Sequence, residues 1–297
     1  MVEFVLTNVH AKEKDEYEFH PLLKQVCLKE ELHLCSNKYE NSANKARRIE
    51  KVLTGIRNLV FSRKSVSLRE IYYIHPQLYS AHNQKLSNAD VTDISTMMGL
   101  TIQSLNIFMS PIGTVKGPLL LFIGDKILAN CRMGGIAGCR IPAEVHNVTN
   151  IRLRGKIEYI LVVEKEDIFE ELAADNNSER NNCVLFSGKG QPSANTRLML
   201  RMLRDTLGVP VYSVFDGNYG GALIYCTYKF GSANRAYDSL LLTFPDLVWL
   251  GVFPDEVKKE YKSVMKDEDH EKLHPLMYKS YMVEFPDVQE KLVDMHM

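Results

Sequence analysis

Two acidic residues stand directly after apolar runs. Glu164 follows Ile157-Glu-Tyr-Ile-Leu-Val-Val163, and Asp216 follows Val209–Phe215, with Asn218 two positions further on. Carboxylates at the ends of neighbouring strands can share a hard divalent cation, and Mg²⁺ takes oxygen ligands while keeping waters for a phosphate substrate. Acidic residues at strand-to-helix turns also commonly cap the helix that follows, so spacing alone leaves both readings open. Between the two lies Ser187-Gly-Lys-Gly190. Gly188 and Gly190 would let the backbone approach a phosphate closely, with Lys189 supplying charge. The segment lacks G-x-x-x-x-G-K-[ST], so hydrolysis of a nucleoside triphosphate by this chain is rejected.

Such residues need a scaffold that brings strand ends together. Strands are expected over 157–163, 183–186, 209–215 and 247–253, with helices around Phe169 and Leu172, over 192–207 and over 221–230. Strands alternating with helices predict βαβ units and a parallel sheet, whose ligand site lies beyond the carboxyl ends of the strands. Upstream, Ile49, Val52, Leu53, Ile56, Leu59 and Val60 fall at helical spacing between Ser42 and Phe61. Ser67 and Glu70 form an S-x-x-E capping box that opens a second helix running toward Pro76. A third, from Asn88 to Leu100, sets Val91, Ile94, Met97 and Met98 on one face. β-like runs at 105–109 and 119–123, joined by a glycine-bearing stretch, complete the pattern of a winged helix. The fold class is therefore mixed α/β, a winged-helix domain at 42–142 followed by a Rossmann-like parallel-sheet domain at 143–297. The boundary is expected in the linker around 140–150, which carries Pro142. Residues 1–41 show no clear period and read as an arm or a partner-binding helix.

Composition narrows the class. The chain has 297 residues, 36 Lys+Arg against 37 Asp+Glu, and 45% hydrophobic residues, which excludes disorder as the main state. Net charge near zero argues against a strongly basic nucleic-acid binder, but the average hides segregation. From Lys45 to Lys64 seven residues are basic and only Glu50 is acidic. Such a segment can hold phosphates through residues such as Lys45 and Arg48; a solvated helix face is the competing reading. The apolar stretch Gly117–Gly124 falls far short of the roughly 20 residues of a membrane span. No secretory signal is visible at the N-terminus, and no membrane partner is expected. Six cysteines without a C-x-x-C pair read as reduced thiols of a cytosolic or nuclear protein, not as a zinc site or a disulfide framework.

Five motifs in order carry a family resemblance: Ser67-Leu-Arg-Glu-Ile-Tyr-Tyr73, Val162-Val-Glu-Lys-Glu-Asp-Ile-Phe169, Gly188-Lys-Gly-Gln-Pro192, Asp216-Gly-Asn218 and Tyr228-Lys-Phe-Gly-Ser232. Together with Leu247-Val-Trp-Leu-Gly251, the set resembles the meiotic DNA double-strand-break proteins, eukaryotic relatives of the A subunit of topoisomerase VI. The resemblance covers about 45–257. It implies a catalytic-tyrosine winged helix and a Toprim metal-binding domain that break duplex DNA by transesterification and stay bound to the 5′ ends. It further implies Mg²⁺, replaceable by Mn²⁺, a dimer with composite sites, an ATPase-like B-type or accessory meiotic subunit, and a chromosomal, nuclear location.

Carried onto this chain, the resemblance makes Tyr73 the nucleophile. A phenol, with an ordinary pKa near 10, needs help to attack at neutral pH. Arg69 lies four residues earlier on the same helical face and matches the family arginine. Tyr72 points about 100° away and reads as core; His75 reads as surface. The metal set is Glu164, Asp216 and Asn218, and here the chain departs from the family's Asp-x-Asp, since Asn218 brings an oxygen but no charge. The competing function is a catalytically silent DNA-binding or scaffold paralogue. A complete type II topoisomerase acting alone fails for want of an ATPase motif.

Overall fold

The computed structural model describes residues 3–7, 17–20, 22–28, 32–36, 40–79, 83–110, 112–174, 180–232, 239–258, 260, 266–279, 282 and 285–296. Two compact units divide them. One holds the described residues up to Glu18 and from Val26 to Ser110; the other holds Phe19, 20 and 22–25 together with those from Ile112 on. The division falls ahead of the linker expected at 140–150. The reason is pairing: the strands at 114–116 and 139–140 add to the main sheet of the second unit rather than to the helices before them.

In the first unit, α1 (Glu40–Ser62), α2 (Leu68–Ile74) and α3 (Gln84–Met97) surround one core. Ala46, Ile49, Val52 and Ile56 of α1 meet Ile71 of α2 and Val91 and Ile94 of α3, all under 5% exposed. The capping box at the start of α2 is formed in both directions. Ser67 Oγ accepts the Glu70 N–H at 3.2 Å, and Glu70 Oε2 accepts the Ser67 N–H at 2.6 Å. Pro76 follows the helix, where it cannot extend it. The residues expected as an arm or a partner-binding helix contain strands rather than a helix of their own among the described residues. β1 (Glu3–Thr7) pairs antiparallel with β4 (Leu32–Ser36), and β2 (Tyr17–His20) pairs with β3 (Gln25–Leu28). The β1 partner is distant in sequence, so no local period announces it. The rest of that arm, 1–2, 8–16, 21, 29–31 and 37–39, lies outside the described residues.

The hairpin expected as the wing does not form between 105–109 and 119–123. β5 (Val66–Ser67) pairs in parallel with β6 (Ile107–Phe108), and β7 (Thr114–Lys116) joins the other unit. β8 (Leu119–Ile123) instead turns at Gly124-Asp125 into β9 (Lys126–Asn130). Gly124 adopts φ +57°, which a two-residue hairpin turn requires and glycine supplies without strain. Local pairing through that turn wins over the longer connection.

The second unit is built on a six-stranded sheet. Its order is β10 (Cys139–Arg140), β7, β13 (Cys183–Ser187), β12 (Tyr159–Val163), β14 (Val211–Val214) and β15 (Val248–Gly251). β11 (Asn150–Leu153) pairs with β8 outside it. The four strands β13, β12, β14 and β15 are parallel, as the alternation of strands and helices predicted. Val162, Val184, Leu185 and Phe186 are fully buried, the continuous apolar pattern of a sheet covered on both faces. α4 (Glu166–Ala174), α5 (Ala194–Leu207) and α6 (Tyr219–Lys229) follow β12, β13 and β14. α7 (Ser239–Leu242), α8 (Asp267–Met277) and α9 (Pro286–His296) complete the described helices. Among the described residues no helix is long and apolar enough to cross a membrane.

Candidate active site

On α2 the Tyr73 side chain stands 57% exposed. Arg69, one turn earlier, directs Nη2 at its phenol oxygen at 3.4 Å, and its guanidinium carbon lies 5.8 Å from the ring centre. A guanidinium in that place stabilises a phenolate or a phosphate brought to it. Tyr72, expected to point away into the core, is half-buried instead; its ring lies edge-on to that of Tyr73 at 5.1 Å and 5.8 Å from that of the buried Tyr79. The first unit thus presents one exposed phenol with one cation beside it, backed by the half-buried ring of Tyr72.

In the second unit Glu164 and Asp216 leave the carboxyl ends of adjacent parallel strands, β12 and β14. Their juxtaposition is fixed by a direct contact: Glu164 Oε2 accepts the Asp216 backbone N–H at 2.9 Å. Burial, followed by the charge of Asp216, raises the Glu164 pKa, partly offset by that N–H and by Lys165. Lys165 Nζ lies 2.6 Å from Asp216 Oδ2. Gly221 makes the turn possible, because a Cβ there would sit 2.1 Å from the Asp216 carbonyl oxygen. Asn218, exposed, caps α6: its Oδ1 accepts the Gly221 N–H at 3.0 Å. The capping role weighed for the acidic residues therefore belongs to Asn218. Its carbonyl oxygen keeps a second lone pair.

The glycine loop folds back on the same place. The Gly190 N–H donates to the Glu164 carbonyl oxygen at 3.0 Å, and the Lys189 N–H to Ser187 Oγ at 3.1 Å. Both amides are thus satisfied within the protein. Gly188 is a glycine for packing, since a Cβ would meet the Tyr228 hydroxyl at 2.6 Å. What the loop offers a phosphate is the exposed Lys189, whose ammonium rests on Glu166 Oε1.

Lys45 and Arg48, expected to face phosphates, are turned inward. Arg48 makes a two-pronged pair with Asp90 of α3, Nε to Oδ2 at 2.7 Å and Nη2 to Oδ1 at 3.2 Å. Lys45 Nζ lies 2.8 Å from Asp93 Oδ2. Both carboxylates are almost wholly buried, so they need these cations, which corrects the expectation of DNA-facing roles. The exposed basic residues of the segment are Arg47, Lys51, Arg57, Arg63 and Lys64. Sequence reasoning passed over Lys165, Glu166 and Gly221; the first two adjoin Glu164, but only the fold shows which carboxylate each cation takes.

Comparison with known proteins follows the same division. Residues 159–297 match the family model for the Toprim domain of the topoisomerase 6 A subunit and Spo11, and residues 44–107 match that for type IIB DNA topoisomerase. The chain is 34% identical over 219 residues to the human meiotic recombination protein SPO11, covering 73% of this chain and 54% of that protein. It is 32% identical over 239 residues to the DNA topoisomerase 6 A subunit of Arabidopsis thaliana, covering 80% and 55%. With meiotic recombination protein SPO11-1 of Oryza sativa subsp. indica it shares 32% over 238 residues, covering 78% and 61%. The chain thus spans between half and two thirds of the length of these relatives.

Proposed function

The chain belongs to the family of Spo11 and the topoisomerase VI A subunit, and from that premise we propose that it cleaves duplex DNA by transesterification to initiate meiotic recombination. The observation that carries the reading is the exposed Tyr73 phenol with the Arg69 guanidinium beside it. The phenol oxygen attacks a backbone phosphorus as the phenol proton is lost. The P–O3′ bond breaks, the 3′-oxygen leaves and takes up a proton, and a 5′-phosphotyrosyl bond remains. Arg69 balances charge on the phosphate while the bond forms. Arg47, Lys51 and Lys189 hold neighbouring phosphates, and DNA binding is correspondingly salt-dependent.

The second unit fits a divalent cation. Its donors are oxygens only, and Glu164 is a half-buried carboxylate facing a second one, an arrangement a hard cation relieves. Among the described residues no group of three or more His, Cys, Asp or Glu gathers as a ready metal cluster, so waters or phosphate oxygens would have to complete the set. Glu164 and Asp216 would hold Mg²⁺ or Mn²⁺, with Asn218 contributing its carbonyl oxygen. Bound there, the ion would supply positive charge to a phosphate. Asn218→Asp keeps a good cap and adds a carboxylate, so calorimetry should show Mg²⁺ or Mn²⁺ bound roughly three- to tenfold more tightly, as charge count tunes such sites. Unchanged affinity would remove Asn218 from the ligand set.

Each DNA strand needs its own nucleophile, so the active form is a dimer with Tyr73 from one copy and Glu164 and Asp216 from the other. ATP hydrolysis falls to a B-type or accessory meiotic subunit, and the assembly works on nuclear chromosomes. A mixing experiment tests the arrangement in the presence of Mn²⁺. Tyr73→Phe chains and Glu164→Ala chains, each inactive alone, should together nick one strand and leave a covalent adduct. A verified mixed dimer without nicking would place each complete site within one chain.

A further inference from the structure

We propose that Lys165 is a built-in counter-cation of the carboxylate pair: its ammonium holds Asp216 in the metal-free protein and leaves when a divalent cation is bound, so that Lys165 sets the metal affinity. The inference rests on the reading of Glu164 and Asp216 as the metal carboxylates. Its basis is the 2.6 Å contact between Lys165 Nζ and Asp216 Oδ2. Glu164, Asp216 and the Lys165 ammonium share the strand ends, with Asp167 close enough to act on Lys165, and Asn218 adds no charge. An arriving dication therefore meets one carboxylate already paired with a cation, and Asp216 can serve it fully only once the ammonium has moved. The other lysine nearby, Lys189, rests its ammonium on Glu166 rather than on this pair. Release is easy for Lys165. Its side chain is 54% exposed, and a lysine ammonium on a flexible four-carbon stem rehydrates readily.

Other interpretations of the contact make opposite predictions. Were Lys165 there to orient Asp216 for the metal, its removal would loosen binding; were the pair irrelevant to the site, removal would change nothing. The full chain is titrated with Mn²⁺ at fixed ionic strength, and free ion is counted by electron paramagnetic resonance. Lys165→Met should bind Mn²⁺ about three- to fivefold more tightly, the range of a partly exposed ion pair. Lys165→Arg, which keeps the charge, should bind as the native chain does. Unchanged or weaker binding by folded Lys165→Met overturns the proposal. Glu164→Ala and Asp216→Ala are run in parallel and should lose Mn²⁺. Native-like binding by both would instead defeat the metal reading itself, so the two failures are told apart.

Discussion

Tyr73→Phe chains should fold, bind duplex DNA as before and form no covalent adduct. The substitution removes a single oxygen from an exposed ring, and what it gives up within the protein is the 3.4 Å approach of Arg69. Stability should therefore stay within about 0.5 kcal/mol of native, as surface changes usually do. The chemical effect should be total, because Tyr73 is the exposed phenol that Arg69 faces. Tyr72→Phe is the matched control: that half-buried ring lies against both Tyr73 and Tyr79, loses only its hydroxyl, and the variant should still form adducts. Arg69→Ala should fall between the two, with adduct formation slowed roughly 10²–10³-fold, the size of losing one charge-stabilising donor. Denaturing gels of protein and end-labelled DNA with Mn²⁺ read all three. Adducts formed by Tyr73→Phe would move the nucleophile elsewhere.

Much of this site is visible in the linear chain because parallel sheets are. Buried strands read as unbroken apolar runs, and their ends are marked by the first charge, so Glu164 and Asp216 stand out from residue order alone. The α2 capping box works in the same way, since both of its partners lie within three residues. What sequence leaves hidden is every feature with a distant partner. The strand β1 finds its mate in β4, and β6 pairs back to β5 rather than forward into a hairpin. A basic run looks alike whether its cations face water or buried acids.

The glycines of the 188–190 loop show a subtler limit. Their type is legible in the sequence and their reason is not. Gly188 is small because Tyr228 fills the space behind it, a neighbour far along the chain. Charge direction is equally invisible: Lys165 and Lys189 each have more than one carboxylate in reach by sequence, and the fold gives Asp216 to one and Glu166 to the other.

The sharpest consequence of that limit concerns Arg48. Arg48→Ala should destabilise the helical unit by about 3–5 kcal/mol, the usual result of stripping one partner from a buried pair. Asp90 is 1% exposed, and burial already pushes its pKa up against the opposing pull of Arg48. Without the guanidinium it must either stay charged and unpaired or bind a proton, and both weaken the native state. Urea unfolding should show a midpoint shift far larger than that of Arg47→Ala or Lys51→Ala, whose side chains are exposed. The double variant Arg48→Met/Asp90→Leu should regain much of the loss, since an apolar pair of similar volume needs no desolvated charges. DNA binding separates the two roles further. Lys51→Ala should reduce the slope of log affinity against log salt by about 0.9, one phosphate's worth of released counterion. In the double variant, where the fold is restored and Arg48 is gone, the slope should match the native chain. A stable Arg48→Ala protein with a flatter salt slope would instead show that this guanidinium faces DNA and that Asp90 does without it.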